Sequence, residues 1–242
     1  MLKIAHLYPK QLNLYGDGGN IMALSKRLEW RAIDFQVDQF DLDDEKRITD
    51  YHLFFIGGGQ DSGQELVALD LLKRKQELSD FIEAGGAALA ICGGYQLLGK
   101  SYETSDGSIM QGLGILDCET RAPSSTAKFQ DRLIGNVVAE LLIEIVPRTI
   151  VGFENHSGRT YLGASAKPLA KVIKGYGNNG EDGFEGIIYN NLIGSYLHGS
   201  VLPKNPHLAD ELLRRAITFA GLELELKPLD DQIETSAHEA LL

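Results

Sequence analysis

The stretch AALAICGGYQ, residues 87–96, decides the fold, because it joins a buried strand to a helix through a sharp turn. Its first five residues are small or apolar in succession, which predicts a strand buried on both faces, as strands of a parallel sheet are. Gly93 and Gly94 allow the backbone to turn sharply and the helix to approach the strand closely. Cys92 stands at this turn. The pattern therefore indicates a nucleophile elbow, which lifts a reactive side chain above the carboxyl edge of a sheet.

Short apolar strands alternate with helical patterns in the residues before the elbow. Strands and helices in this order predict β–α–β units with a parallel sheet between two layers of helices. The predicted elements are strands at 3–7, 35–40 and 53–56, a helix at about 20–32 with Asn20 as its N-cap, and one helix at about 62–84.

After residue 111 the pattern changes to short strands broken by glycine and asparagine, followed by one helix that begins at Asn205 and Pro206. We therefore expect an α/β fold with an open, mainly parallel, flavodoxin-like sheet flanked by helices, extended by antiparallel β-structure. One domain would span 1–221, and a tail, 222–242, would form a short edge strand and a loose end. The later elements are predicted at 113–116, 134–138, 150–153, 171–173, 186–189 and about 206–220.

Composition excludes several classes of protein. The 242 residues include 23 basic and 34 acidic side chains, a net charge of −11, whereas a nucleic-acid surface would be basic. No apolar run approaches the ~18 residues of a membrane span. Only two cysteines are present, Cys92 and Cys118, too few for a secreted disulfide scaffold. We expect a soluble protein of the reducing cytoplasm.

Residues 94–101, GYQLLGKS, match the phosphate-binding pattern G-x-x-x-x-G-K-[ST]. A phosphate-binding loop needs N–H groups turned inward and a helix that begins at the lysine. Here the loop positions are bulky, and the residues after Ser101 indicate a turn. A solvated Lys100 is the favoured interpretation, and a P-loop nucleotide-binding protein is kept as the less favoured alternative.

A cysteine nucleophile needs a base, and two of the six histidines stand in informative positions. His198 ends the apolar run SYL and precedes a glycine, which places it at the sheet edge where active sites of open α/β folds lie. His156, in GFENHSG, either lines the site or belongs to a structural turn. No pair of histidines has the spacing of a zinc site and the chain has no CxxC, so we expect no metal.

These motifs resemble those of class I, triad-type glutamine amidotransferases of the cobyric-acid-synthase-like branch. The family elbow is roughly G-x-C-x-G-x-Q, and residues 90–96 differ from it only in Ala90. FFIGGGQ, residues 54–60, resembles the oxyanion loop of the family. The resemblance is strongest to glutaminase subunits of lipid II isoglutaminyl synthases and covers nearly all of 1–220. It includes NLYGDGGNI (13–21), GLGILD (112–117), VGFENHSGRTY (151–161), GYGNN (175–179) and YLHG (196–199).

The resemblance implies a role for several residues. Cys92 would be the nucleophile and His198 its base, while Gly93 and one of residues 57–59 would hold the oxyanion. Arg132 would bind the α-carboxylate of L-glutamine, since a guanidinium is suited to that group. The substrate-binding residues that the resemblance implies are Arg132, Gly58, Gly59, Gly93 and Gln96, with no cofactor on this chain.

The resemblance also implies a partner. Ammonia from L-glutamine would pass to a Mur-ligase-like synthetase subunit of the MurT type. That subunit would use ATP and Mg²⁺ to amidate the α-carboxylate of D-glutamate in the lipid II stem peptide, near the inner face of the membrane. An amidotransferase of corrinoid synthesis is the alternative from the same branch. Those enzymes usually carry a fused synthetase domain, for which 242 residues leave no room.

One position departs from the family pattern. Many triad enzymes carry H-x-E, in which the glutamate orients the imidazole, but here the run is His198, Gly199, Ser200. His198 would therefore work as a dyad with Cys92 or take its acidic partner from another chain, and we expect the second. The isolated chain would then hydrolyse glutamine slowly.

Overall fold

The computed structural model describes residues 1–104, 107–123 and 132–242. Strands and helices alternate through its first hundred residues, as the apolar runs predict. They are β1 (Leu2–Leu7), α1 (Gly18–Glu29), β2 (Phe35–Phe40), β3 (Leu53–Ile56), α2 (Asp61–Lys73), α3 (Lys75–Glu83), β4 (Ala87–Ile91) and α4 (Gly93–Leu98).

Short strands dominate the next hundred residues, and helices close the chain. The strands are β5 (Ser101–Glu103), β6 (Ile109–Gln111), β7 (Cys118–Arg121), β8 (Leu133–Leu141), β9 (Thr149–His156), β10 (Arg159–Leu162), β11 (Ala170–Lys174), β12 (Phe184–Glu185), β13 (Ile187–Tyr189) and β14 (Leu192–Ser195). The helices are α5 (Pro206–Phe219) and α6 (Gln232–Glu239). No helix of the described residues has the length and apolarity that crossing a membrane requires.

A six-stranded sheet forms the centre of the molecule, in the order β13–β14–β4–β3–β1–β2. Every neighbouring pair is parallel except β13 with β14. All residues of β3 and β4 are buried, because strands in the middle of a parallel sheet are covered on both faces. The predicted α/β fold with a mainly parallel sheet is confirmed.

Two four-stranded sheets form the predicted antiparallel extension, in the orders β10–β7–β5–β6 and β12–β11–β8–β9. Their described pairs are antiparallel apart from β5 with β7. The strand predicted at 113–116 is wrong. Leu113 donates its N–H to the carbonyl of Leu97, and Ile115 and Leu116 donate theirs to Leu98. The segment caps the end of α4, whose last carbonyls have no partner within the helix.

Two helix predictions also change. The single helix expected at 62–84 is divided at Arg74, which separates α2 from α3. The Arg74 guanidinium donates to the backbone carbonyls of Asp44 and Lys46, so this break is held by tertiary contacts. Asn20 is not an N-cap, because α1 begins at Gly18. The buried side-chain oxygen of Asn20, Oδ1, instead accepts the N–H of Leu202 at 3.0 Å.

The segment after residue 221 is neither an edge strand nor a loose end. Residues 222–231 have no regular structure, and α6 follows them. Asp231 pairs at 2.6 Å with Arg27 of α1, whose side chain is only 4% exposed. His238 contacts the carbonyl of Lys204 at 2.9 Å. The tail is therefore packed on the rest of the chain, while a domain boundary at residue 221 stays a prediction.

Candidate active site

Three neighbouring strands end at one edge of the central sheet, and their carboxyl ends bring the predicted site residues together. Cys92 directly follows β4, Gly57 and Gly58 follow β3, and His198 lies three residues after β14. Because β14, β4 and β3 are adjacent and parallel, these residues meet although they are distant in sequence. The edge lies where ligands bind in open α/β sheets.

Cys92 has the backbone conformation of an elbow. Its φ of 48° and ψ of −105° are unfavourable for a residue with a side chain. The N–H of Cys92 donates to Ser195 at 2.8 Å, and that of Gly94 donates to Gly57 at 3.1 Å. A Cβ at Gly94 would lie 2.8 Å from the carbonyl oxygen of Ile56. Only glycine therefore lets α4 approach β3 closely enough for this turn.

An acid from the same chain contacts the base. Asp17 Oδ1 lies 3.2 Å from His198 Nδ1, and both side chains are fully buried. The other oxygen of Asp17 accepts the N–H of Gly58 at 2.8 Å. This corrects the expectation of an acid from another chain. The sequence offers no signal for the contact, since Asp17 and His198 are 181 positions apart and Asp17 precedes a helix, as many structural aspartates do.

Ser200 occupies the position where triad enzymes often carry glutamate. Its hydroxyl donates to the carbonyl of Gly16 at 2.7 Å. A Cβ at Gly19 would lie 2.2 Å from the same hydroxyl oxygen. Ser200 therefore holds the turn from which Asp17 reaches His198, and the carboxylate comes from that turn instead of from position 200.

Gly58 shows how closely these groups are packed. A Cβ there would lie 2.8 Å from His198 Cε1, 3.1 Å from Cys92 Cβ and 3.3 Å from Asp17 Oδ2. Cys92, His198 and Asp17 thus surround one glycine, which leaves no room for a side chain.

The protonation of His198 follows from its neighbours. Burial by itself would lower the pKa of His198, but its interactions with Cys92 and Asp17 raise it to about 10. A cationic imidazole is therefore stable at neutral pH beside the Cys92 side chain. Such a pair is suited to acyl transfer, because the thiolate attacks and the imidazolium can protonate a leaving group.

Two backbone N–H groups are placed to stabilise an oxyanion. That of Gly58 is already bonded to Asp17. The nitrogen of Gly59 lies 3.1 Å from the point that a Cβ of Gly93 would occupy, so these two residues are adjacent. Within the described part of the chain, no acceptor takes the N–H of Gly59 or of Gly93. Because Gly59 lies beside Gly93, we take it as the candidate donor from the range 57–59.

Gln96 and His156 belong to a buried polar cluster under the elbow. Gln96 donates to the hydroxyl of Tyr196 at 3.0 Å, and no described residue donates to its buried Oε1. The His156 ring stacks on Tyr196 with centroids 3.6 Å apart, and its Nδ1 contacts the carbonyl of Gly158 at 2.8 Å. Burial lowers the pKa of His156. This geometry supports the interpretation of His156 as part of a structural turn.

Arg132 lies directly before β8, with its side chain exposed. Its guanidinium donates to the side-chain oxygen and the backbone carbonyl of Asn155, both at 2.7 Å. These bonds use Nε and one terminal nitrogen. The role of Arg132 in binding a carboxylate stays a prediction.

The P-loop alternative does not agree with the structure. The loop positions of the motif lie in α4, whose residues are all buried, and Lys100 forms an ion pair with Asp117. No phosphate could contact backbone N–H groups inside this helix. Cys118 is buried, which raises its pKa to about 12 and makes it unreactive. No cluster of three or more histidine, cysteine or acidic side chains in the described ranges could hold a metal ion.

The sequence matches the family described as the CobB/CobQ-like glutamine amidotransferase domain over residues 3–206. Two relatives are each named as subunit GatD of lipid II isoglutaminyl synthase (glutamine-hydrolyzing). The one from Staphylococcus aureus strain N315 is 44% identical, covering 100% of this chain and 95% of the relative. The one from Streptococcus pneumoniae is 39% identical, covering 95% and 86%. A probable cobyric acid synthase from Methanothermobacter thermautotrophicus is 34% identical over 63% of this chain, but only 31% of that relative is covered.

Solved structures show the same fold. PurLQS from Thermotoga maritima superimposes with a TM-score of 0.63 at 17% identity, covering 90% of this chain and 99% of that one. A glutamine amidotransferase from the same organism superimposes with a TM-score of 0.56, also at 17% identity, covering 99% and 93%. At such identities the likeness bears on the fold alone.

Proposed function

The chain belongs to the CobB/CobQ-like glutamine amidotransferase family, and we propose that it is the glutaminase subunit of a lipid II isoglutaminyl synthase. The observation on which the proposal rests is the convergence of Cys92, His198 and Asp17 on Gly58, with Asp17 in contact with the buried imidazole. Similarity over the whole chain to two subunits of that name supports the choice of pathway.

The proposed reaction begins with acyl transfer to sulfur. The thiolate of Cys92 attacks the side-chain amide carbon of L-glutamine, and the N–H groups of Gly59 and Gly93 stabilise the oxyanion. As the C–N bond breaks, His198 protonates the nitrogen and ammonia leaves, so that a γ-glutamyl thioester remains. The then neutral His198 takes a proton from water, which attacks the thioester and releases glutamate. Asp17 keeps the imidazole in the orientation needed for both steps.

Recognition of the substrate falls to Arg132 in this proposal. Its exposed guanidinium lies at the start of β8, and among the described residues nothing accepts from its remaining terminal nitrogen, while the other two nitrogens contact Asn155. We expect Arg132→Ala to raise the KM for glutamine about tenfold or more, because it removes a charge-assisted hydrogen bond to the α-carboxylate. Steady-state kinetics measure this, with Arg121→Ala, which removes another exposed arginine, as control. An unchanged KM would exclude Arg132 from substrate binding.

Ammonia would pass to a Mur-ligase-like synthetase of the MurT type, which forms a heteromeric complex with this chain. The synthetase would supply the ATP and Mg²⁺ sites and amidate the α-carboxylate of D-glutamate in lipid II. Because the acceptor is a lipid-linked precursor, the complex would work in the cytoplasm at the inner face of the membrane. No cofactor is assigned to this chain.

The test is the release of ammonia from L-glutamine by the purified chain. We expect Cys92→Ser to abolish it, while Cys118→Ser, at the other buried cysteine, and Lys100→Ala leave it intact. A wild-type chain that releases no ammonia, alone or with the synthetase, would overturn the proposal. So would a fully active Cys92→Ser variant.

A second assay decides the pathway. The complex with the synthetase is supplied with glutamine, ATP and Mg²⁺, and with either lipid II or a carboxylated corrinoid. Mass spectrometry is expected to show the loss of about one mass unit that accompanies conversion of an acid to an amide, in lipid II alone. Amidation of the corrinoid instead would favour the alternative.

A further inference from the structure

We propose that Gln64 is a positioning residue for the oxyanion hole, in which it holds Gly59 in the conformation that stabilises the tetrahedral intermediate. The inference rests on the proposed glutamine hydrolysis. It assigns a task to a side chain that the mechanism above does not use.

Gln64 lies in the first turn of α2, and its side chain is buried beside the elbow. The residue is 3% exposed, and its Nε2 donates to the carbonyl of Gly59 at 3.0 Å. A Cβ at Gly93 would lie 2.7 Å from Nε2 of Gln64 and 3.1 Å from the nitrogen of Gly59. The carboxamide therefore shares one small volume with both proposed oxyanion donors.

The loop needs such support because it consists of consecutive glycines, which have wide conformational freedom. Oxyanion donors lower a barrier only when they are oriented before the reaction. The Gly59 nitrogen shares a peptide group with the carbonyl of Gly58. That carbonyl accepts the N–H of Leu14 at 2.9 Å, which holds this peptide group in place. The peptide after Gly59 is held by Gln64. These two bonds fix the backbone on both sides of Gly59, and with it the direction of the N–H.

A role in stability alone does not account for this side chain. Its Oε1 is buried, and in the described part of the chain no group donates a hydrogen bond to it. Burying a carboxamide with unmet hydrogen-bonding capacity is unfavourable. An apolar side chain of similar length would fill the space without that penalty, so the amide is better explained by its bond to Gly59.

The first test is Gln64→Met, which keeps the length of the side chain and removes the donor. We expect kcat/KM for glutamine to fall about tenfold to a hundredfold, less than for loss of a direct oxyanion donor. The fall should lie in kcat, with KM little changed, and the Tm should not decrease. Gln76→Met, at an exposed glutamine of α3, is the matched control and should change neither the kinetic constants nor the Tm.

The rate at which iodoacetamide alkylates Cys92 distinguishes a positioning role of Gln64 from a general disturbance of the active site. The thiolate displaces iodide in a single step that forms no oxyanion, so Gln64→Met should be alkylated at the wild-type rate.

In Gln64→Glu the introduced carboxyl can donate to Gly59 only when it is protonated. The activity of that variant relative to wild type should therefore rise as the pH falls.

The outcomes are distinct. Full activity of Gln64→Met would overturn this inference and leave the proposed function standing. Equal losses of hydrolysis, alkylation and Tm would overturn it in favour of a packing role. A wild-type chain without glutaminase activity, alone and with the synthetase, would overturn both.

Discussion

His198 stands between Cys92 and Asp17, and its protonation depends on both. Asp17 contacts Nδ1 at 3.2 Å, while Cys92 interacts with the same ring. We expect Asp17→Asn to lower kcat for glutamine hydrolysis about a hundredfold or more, because the imidazole loses both its orientation and the stabilisation of its cation. Ammonia release at saturating glutamine measures the effect. Asp34→Asn, at an exposed site, is the control, and wild-type kcat in Asp17→Asn would remove Asp17 from the mechanism.

Asp17→Asn should also change how kcat/KM depends on pH. The pKa of His198 is raised to about 10 in part by Asp17, so removing the carboxylate must lower it. The imidazolium then loses its proton at a lower pH, and the alkaline limb of the kcat/KM profile should move to lower pH. An alkaline limb that stays in place, or moves upward, would contradict this account.

The close packing around Gly58 predicts that no larger side chain can replace it without loss of activity. A methyl group there would lie 2.8 Å from His198 Cε1 and 3.1 Å from Cys92 Cβ, closer than nonbonded carbons approach. We expect Gly58→Ala to reduce glutaminase activity at least about a hundredfold by separating the nucleophile from the base, since small displacements have such effects in active sites. Gly135→Ala is the matched control, because a Cβ at that position meets no atom within 4 Å. Comparable activities of the two variants would be incompatible with the packing described.

At the scale of elements, the tail connects to the helix that follows Asp17. Asp231 pairs with Arg27 of α1, which also pairs with Asp210 of α5. We expect Asp231→Asn to lower the free energy of unfolding by about 2 kcal/mol, because a nearly buried guanidinium loses one of two charged partners. Denaturant unfolding measures this. Asp230→Asn is the control, since its side-chain oxygen can still accept from Gln232; equal stability of both variants would show that the tail pair contributes little.

Elements were predictable where local sequence decides them. The apolar runs that became β3 and β4 were placed at their observed bounds, because continuous burial leaves a continuous apolar pattern. The run at 113–116 has similar composition but bonds to carbonyls of α4. Arg74 divides a helix that periodicity alone would continue. Both errors arise from partners that are distant in sequence.

At the scale of the whole molecule, the location of the acid changes what the isolated chain should do. The expectation of slow hydrolysis rested on an acid supplied by another chain, and Asp17 removes that reason. We now expect the chain to release ammonia from glutamine without its synthetase. Comparing the initial rates of the chain alone and of the complex checks this. Activity confined to the complex would show that the partner completes the site in another way.

Local sequence was sufficient to predict the α/β class, the elbow at Cys92 and the choice of His198, because each depends on residues that are neighbours along the chain. The contact of Asp17 with His198, and the placement of Gly59 and Gln64 beside the elbow, became visible only in the folded structure. These contacts arise where the ends of β3, β4 and β14 meet the turn before α1. Their atoms are brought together by the order of strands in the sheet, which no local pattern of residues encodes.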